Sequence, residues 1–138
     1  PPGGLCRMSA MARRYLIDTD VLVKYLRGRE KAVRFLEALD GPLCVSAITV
    51  AELYSGVKGQ EEHASLERFL QAFEVIEVDS ELARRGGLCR RDHHPRYGTG
   101  LADALVAVSA EAAEAVLVTF NRRHFPMVRN LLVPYRRS

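Results

Sequence analysis

The chain alternates short apolar runs with stretches whose apolar residues return every three or four positions. Tyr15-Leu16-Ile17 is an unbroken apolar run that stops at Asp18, so YLID reads as a buried strand. DVLVKYLRG then has helical spacing, with Gly28 to stop it, and KAVRFLEAL follows as a second helix closed by Asp40-Gly41-Pro42. LCVSA is short, apolar and bounded by breakers, which predicts another buried strand. ITVAELYSGV predicts a helix whose polar exception is Glu52. EEHASLERFLQAF is amphipathic, with Leu66, Phe69, Leu70 and Phe73 inward, and EVIEV alternates as a strand. Asp79 or Ser80 is placed to cap the helix SELARRGGLCR. RDHHPRYGTG has no period and predicts a Gly/Pro/His loop. GLADALVAVSAEAAEA is a strong helix, AVLVTF a strand and NRRHF a helical turn that Pro126 ends. NLLVPY predicts a last edge strand, where Pro134 is tolerated.

Strands buried on both faces and alternating with helices imply an α/β domain in three layers, with a central, mainly parallel sheet of about five strands. Such sheets bind ligands beyond the carboxyl ends of their strands, at the topological switch point. Four residues meet that rule. Asp18 closes the first strand, Glu52 lies one or two turns after LCVSA, Asp103 falls in the first turn of its helix, and Asn121 follows AVLVT. Three carboxylates gathered without a cation raise one another's pKa, whereas a hard divalent ion such as Mg²⁺ or Mn²⁺ prefers oxygen ligands.

Each acid also has a plainer reading: Asp18 as a helix cap, Glu52 as a solvated helix residue, Asp103 as a favourable charge at a helix N-terminus, and Asn121 as a turn residue. Asp20 is balanced between a site role and a first-turn acid, and capping accounts fully for Asp79. His93 and His94 are adjacent on the expected loop and lack ligand spacing, so solvent exposure or contact with a binding partner suits them better than a shared ion. His124 precedes Phe125 in a turn and suits packing or capping.

Charge adds a modest hint. The net charge is +3, but residues 79–138 hold ten basic against six acidic side chains. A polyanionic partner fits that half, although solvated helix faces explain most of its arginines. The three cysteines, Cys6, Cys44 and Cys89, form no C-x-x-C pair, which argues against a disulfide framework or zinc site and for a reducing cytoplasm. No stretch has the apolar length of a membrane span. Residues 1–14 lack any apolar period and are read as a disordered leader, with Met8 or Met11 as the expected natural start and the domain over 15–138.

YLIDTDVL, SAITVAELYSGV, GLADALVAVSA and LVTFNRRHF, in this order, resemble the four signature blocks of PIN-domain ribonucleases, VapC-type toxins above all. The resemblance covers nearly the whole chain from Tyr15 onward. It implies a PIN-like α/β/α fold, Mg²⁺- or Mn²⁺-dependent RNA hydrolysis by a metal-activated water, and a cognate VapB-type antitoxin. Homodimers are common among look-alikes, so a homodimer is expected. Asp18, Glu52 and Asp103 match the three acids of the family pattern. Asn121 stands where many members carry a fourth acid, so this site holds one negative charge fewer. Thr19, Thr49 and Thr119 would donate hydrogen bonds to the acids, while Arg91, Arg96 and Arg122 would position RNA phosphates.

Other functions fit parts of the same pattern. An aspartate-nucleophile phosphatase fits D-x-D after an apolar strand, but LVTFNRRHF supplies no late acid and the chain has no room for a cap domain. A PIN-fold adaptor without metals would be expected to have lost its acids, and all three are present.

Overall fold

Residues of the first strand point alternately to two separate cores: Tyr15 and Ile17 into one, Leu16 into the other. That alternation, with all three buried, puts strand β1 (Arg14–Ile17) in the middle of a sheet covered on both faces. The computed structural model describes residues 13–136, so all but the last two positions of the expected leader, and Cys6 with them, lie outside the described residues.

Helices α1 (Thr19–Leu26) and α2 (Glu30–Glu37) lead to β2 (Leu43–Ser46), and α3 (Ala47–Ser55) and α4 (Gly59–Leu70) lead to β3 (Glu74–Ile76). The long pair α5 (Ser80–Tyr97) and α6 (Leu101–Ala112) precedes β4 (Ala115–Val118), and a 3₁₀ turn at Arg122–His124 precedes the short β5 (Leu131–Leu132). All pairings are parallel and the strand order is β3-β2-β1-β4-β5. Strand order therefore reverses between β1 and β4, which fixes the switch point beside Ile17 and Val118.

One core gathers Val21, Leu22, Leu36, Leu53 and Leu66 of the first four helices against Tyr15, Ile17, Val45 and Val118. The other sets Val106, Ala107 and Ala110 of α6 against Leu16, Cys44 and Leu117. This is the three-layer α/β/α arrangement that the alternation of elements implied. Cys44 is buried among these apolar neighbours, and burial pushes its thiol up to about 11, so it behaves as a small core residue.

The expected loop RDHHPRYGTG requires correction. Helix α5 continues through Tyr97 with Pro95 inside it, and only residues 98–100 leave the helix. Asp79 caps the start by accepting from Leu82 N at 2.9 Å, and Gly98 ends it with a left-handed φ of 73°. Gly86 lets α5 lie against α6: a Cβ there would run into the Leu105 side chain. Tertiary packing along this helix pair outweighs the local cost of the proline. Arg91 and Arg96, expected on a loop, are therefore helical.

Candidate active site

Each of the four residues singled out from the sequence reaches the carboxyl end of the sheet by a different local device. Asp18 is the first residue past β1 and caps α1, its Oδ1 accepting from Thr19 N at 2.8 Å. Glu52 stands on α3, whose cap is Ser46 at the end of β2. Asp103 is the third residue of α6 and accepts from the amide of the cap residue Gly100 at 3.0 Å. Asn121 follows the exit of β4 and opens the 3₁₀ turn.

These residues are joined in a continuous path. Thr19 bridges the first two acids, with its amide on Asp18 and its hydroxyl donating to Glu52 Oε1 at 2.6 Å. The same hydroxyl lies 3.1 Å from the buried Thr49 Oγ1. Thr119 donates to Asp18 Oδ2 at 2.7 Å and accepts from Asn121 N at 3.0 Å. His124 N donates to Asn121 O at 2.9 Å, and the His124 ring places Nδ1 3.3 Å from Asp103 Oδ2. The path thus runs Glu52, Thr19, Asp18, Thr119, Asn121, His124, Asp103.

Asp18 is the electrostatic centre of the cluster. It is only 7% exposed, and burial is the main reason its carboxyl is pushed up to about 7. The charge of Asp20 raises it further and that of Asp103 adds to this, while the bonds from Thr119 and Thr19 oppose the rise. A buried carboxylate with two acids within electrostatic reach is short of positive charge. The donor set is all oxygen, which suits a hard divalent cation. Among the described residues no three acid, histidine or cysteine side chains converge as a ready-made cage. Mg²⁺ keeps several waters and takes one or two carboxylates directly, so donor type and charge fit such an ion without a tight cage.

The phosphatase reading loses ground on the same geometry. Both oxygens of Asp18 are engaged, and the exit of β4 supplies Thr119, Phe120 and Asn121 rather than a second acid.

A family profile for the PIN domain matches residues 15–130, a span that includes Asp18, Glu52, Asp103 and Asn121. The chain belongs to the PIN-domain family. This PIN domain is 37% identical over 123 residues to Ribonuclease VapC10 of Mycobacterium tuberculosis, a match covering 87% of this chain and 92% of that protein. Its fold matches a chain of a toxin–antitoxin complex from Klebsiella pneumoniae with a TM-score of 0.76 at 27% identity, over 88% of this chain and 98% of that one. A chain of VapBC2 from Rickettsia felis, crystallised with a promoter DNA fragment, matches with a TM-score of 0.69 at 26% identity, over 86% and 96% of the two chains.

Two residues that local sequence signals do not single out also border this PIN domain's candidate site. Asp20 was undecided, yet its carboxylate accepts from Phe120 N at 3.1 Å. His124, which its place before Phe125 suits to packing or capping, also touches Asp103; its main chain is held by Thr99, whose buried hydroxyl donates to His124 O at 2.8 Å. Only the NRRHF block hinted at His124, and nothing local hinted at Thr99. Of the arginines, Arg91 pairs with Asp92 at 2.9 Å and Arg96 lies over the Tyr97 ring. Arg122 is exposed in the 3₁₀ turn next to Asn121. His93 and His94 spend their Nδ1 atoms on the carbonyls of Cys89 and Thr99.

Beside Glu52 an open groove of about 760 Å³ runs between α1, α3 and α4. Its wall includes Val23, Leu53, Val57 and Leu66, with Arg27 and Lys58 also lining it.

Proposed function

We propose that the chain is a VapC-type toxin: a divalent-cation-dependent endoribonuclease restrained by a cognate VapB-type antitoxin. The observation that carries this reading is the buried Asp18 carboxyl at the β1/β4 switch point, linked through Thr19 and Thr119 to Glu52 and Asn121. Family membership supports the ribonuclease assignment, and the VapBC neighbour supports an antitoxin partner.

In this reading Asp18 and Asp103 would hold Mg²⁺ or Mn²⁺, with Glu52 acting directly or through water and Asn121 adding a neutral oxygen. A hard divalent cation supplies an activated water and neutralises charge on phosphate. The protein's own groups then have defined tasks. Thr19 holds Glu52 against the start of α1, and Thr119 holds Asp18 against the exit of β4. Arg122, beside Asn121, and Arg91 and Arg96, near the end of α5, attract the RNA backbone. No protein nucleophile is needed. The groove beside Glu52 has the apolar wall and mixed charges that an amphipathic antitoxin segment would cover.

The test is incubation of purified protein with structured RNA and Mg²⁺ or Mn²⁺, with EDTA and Asp103→Asn as controls. Cleavage that stops with EDTA and with the variant is expected. Cleavage that survives EDTA sinks the cation requirement. RNA binding without cleavage points to an adaptor.

A further inference from the structure

We infer that Asp20 is a positioning residue, and that it serves the site by accepting a main-chain hydrogen bond rather than by holding the cation. The inference rests on the ribonuclease reading above, but the contact behind it does not. In the β1/β4 pair the ladder ends where Asp18 N donates to Val118 O at 2.9 Å. Beyond it, β1 turns into helix α1 and offers β4 no further carbonyl. The chain leaving β4 carries Thr119, Phe120 and Asn121 in succession. Thr119 N donates across to Leu132 O at 3.1 Å, on the β5 side. Because alternate residues of a strand direct their amides to opposite neighbours, Phe120 N is directed back toward β1. Asp20 Oδ2 accepts it at 3.1 Å, one hundred positions away in sequence. A side chain in the first turn of α1 thus replaces the carbonyl that β1 no longer provides.

Phe120 is held on two sides. Its ring is buried in the first core and packs edge-on against Tyr135 at 5.1 Å, while its amide is tied to Asp20. The two residues on either side of it, Thr119 and Asn121, are those that meet Asp18 and continue the path to His124. The contact from Asp20 therefore sets where the exit of β4 lies relative to Asp18. An amide oxygen in place of the carboxylate accepts the same bond. This positioning contact needs only an acceptor of that length, whatever else the Asp20 charge does to Asp18.

The experiment compares Asp20→Asn, Asp20→Ala and wild type, with Asp18→Asn as reference. Three quantities are read: hydrogen exchange of the Phe120 amide, Mn²⁺ affinity by electron paramagnetic resonance, and kcat and KM for RNA cleavage. D20N is expected to keep Phe120 protected and to stay within about threefold of wild type in Mn²⁺ affinity and kcat. D20A is expected to speed Phe120 exchange, to weaken Mn²⁺ binding by roughly tenfold, the size of effect seen when a group supporting metal ligands is removed, and to lower kcat more than it raises KM. If D20A does not fold, Asp20→Ser, whose oxygen is too short to span to Phe120, takes its place with the same expected losses. D20N losing Mn²⁺ and cleavage as fully as D18N would overturn the inference, because Asp20 would then act through its charge. Unchanged Phe120 exchange in the non-accepting variants would overturn it as well. Faster Phe120 exchange in D20A, with D18N still cutting RNA like wild type, would instead keep the positioning contact and reject the site it was thought to serve.

Discussion

The Thr119 hydroxyl donates to Asp18 Oδ2 at 2.7 Å across 101 positions of sequence, joining the exits of two neighbouring parallel strands. Thr119 is fully buried, and its oxygen also accepts from Asn121 N. Thr119→Val keeps the shape and removes both bonds. It should cost about 1–3 kcal/mol, the range for leaving buried polar groups unpaired. It should also raise the Asp18 pKa further, because this bond is one of the forces holding it down. Urea unfolding and carboxyl-carbon NMR titration measure the two effects; an unchanged Asp18 titration counts against the contact.

Asp18 itself predicts a pH dependence. Its carboxyl is pushed from 3.8 to about 7 in the fold, so between those values the folded state binds more protons than the unfolded one. The contribution of Asp18 to stability is present in full below about pH 4, is lost as pH climbs toward 7, and levels off above that. In EDTA-treated protein, wild type should lose a few kcal/mol over this window through Asp18, on the order expected from the shift. Asp18→Asn should flatten that slope, match or exceed wild-type stability at pH 8, and abolish RNA cleavage. Identical melting profiles against pH for the two proteins would contradict this.

Glu52 is exposed and held by the Thr19 hydroxyl. Glu52→Gln keeps an acceptor for Thr19 and loses the charge, so melting should be nearly unchanged. Cleavage should nevertheless fall by roughly 10–100-fold, as when a metal site is weakened. A variant that cuts RNA at the wild-type rate removes Glu52 from the site.

Pro95 lies within α5 and is exposed. It has no amide to give the Arg91 carbonyl, and its ring crowds the preceding turn. Pro95→Ala restores the bond but frees the unfolded chain, so the net gain should be about 2 kcal/mol. Thermal unfolding decides the sign. A loss of stability would mean that Pro95 makes contacts worth more than the helix bond.

Much of the fold and the candidate site was legible because their signals are local. Tyr15-Leu16-Ile17 announces a doubly buried strand by being apolar at three successive positions, and the stop at Asp18 places an acid where parallel sheets bind ligands. Asp103 reads as a first-turn acid from the helix that follows it. The stretch from Arg91 to Tyr97 misled because proline, glycine and paired histidines are turn signals, whereas α5 continues through them packed on α6, with Gly86 against Leu105. Asp20 was undecided for a related reason. A helix-start acid and an acceptor for a distant amide look identical until Phe120 is brought beside it.

By itself, then, the sequence determined the order and type of most elements, that the strands are buried, and which acids stand at or just after strand ends. Those properties follow from periodicity and from apolar runs a few residues long. Tertiary structure alone decided that β4 lies beside β1, that Thr119 meets Asp18, that Asp20 holds Phe120, and that His124 reaches Asp103. Each of these joins residues separated by 21 to 101 positions, and a single hydrogen bond at that distance leaves no period in the chain.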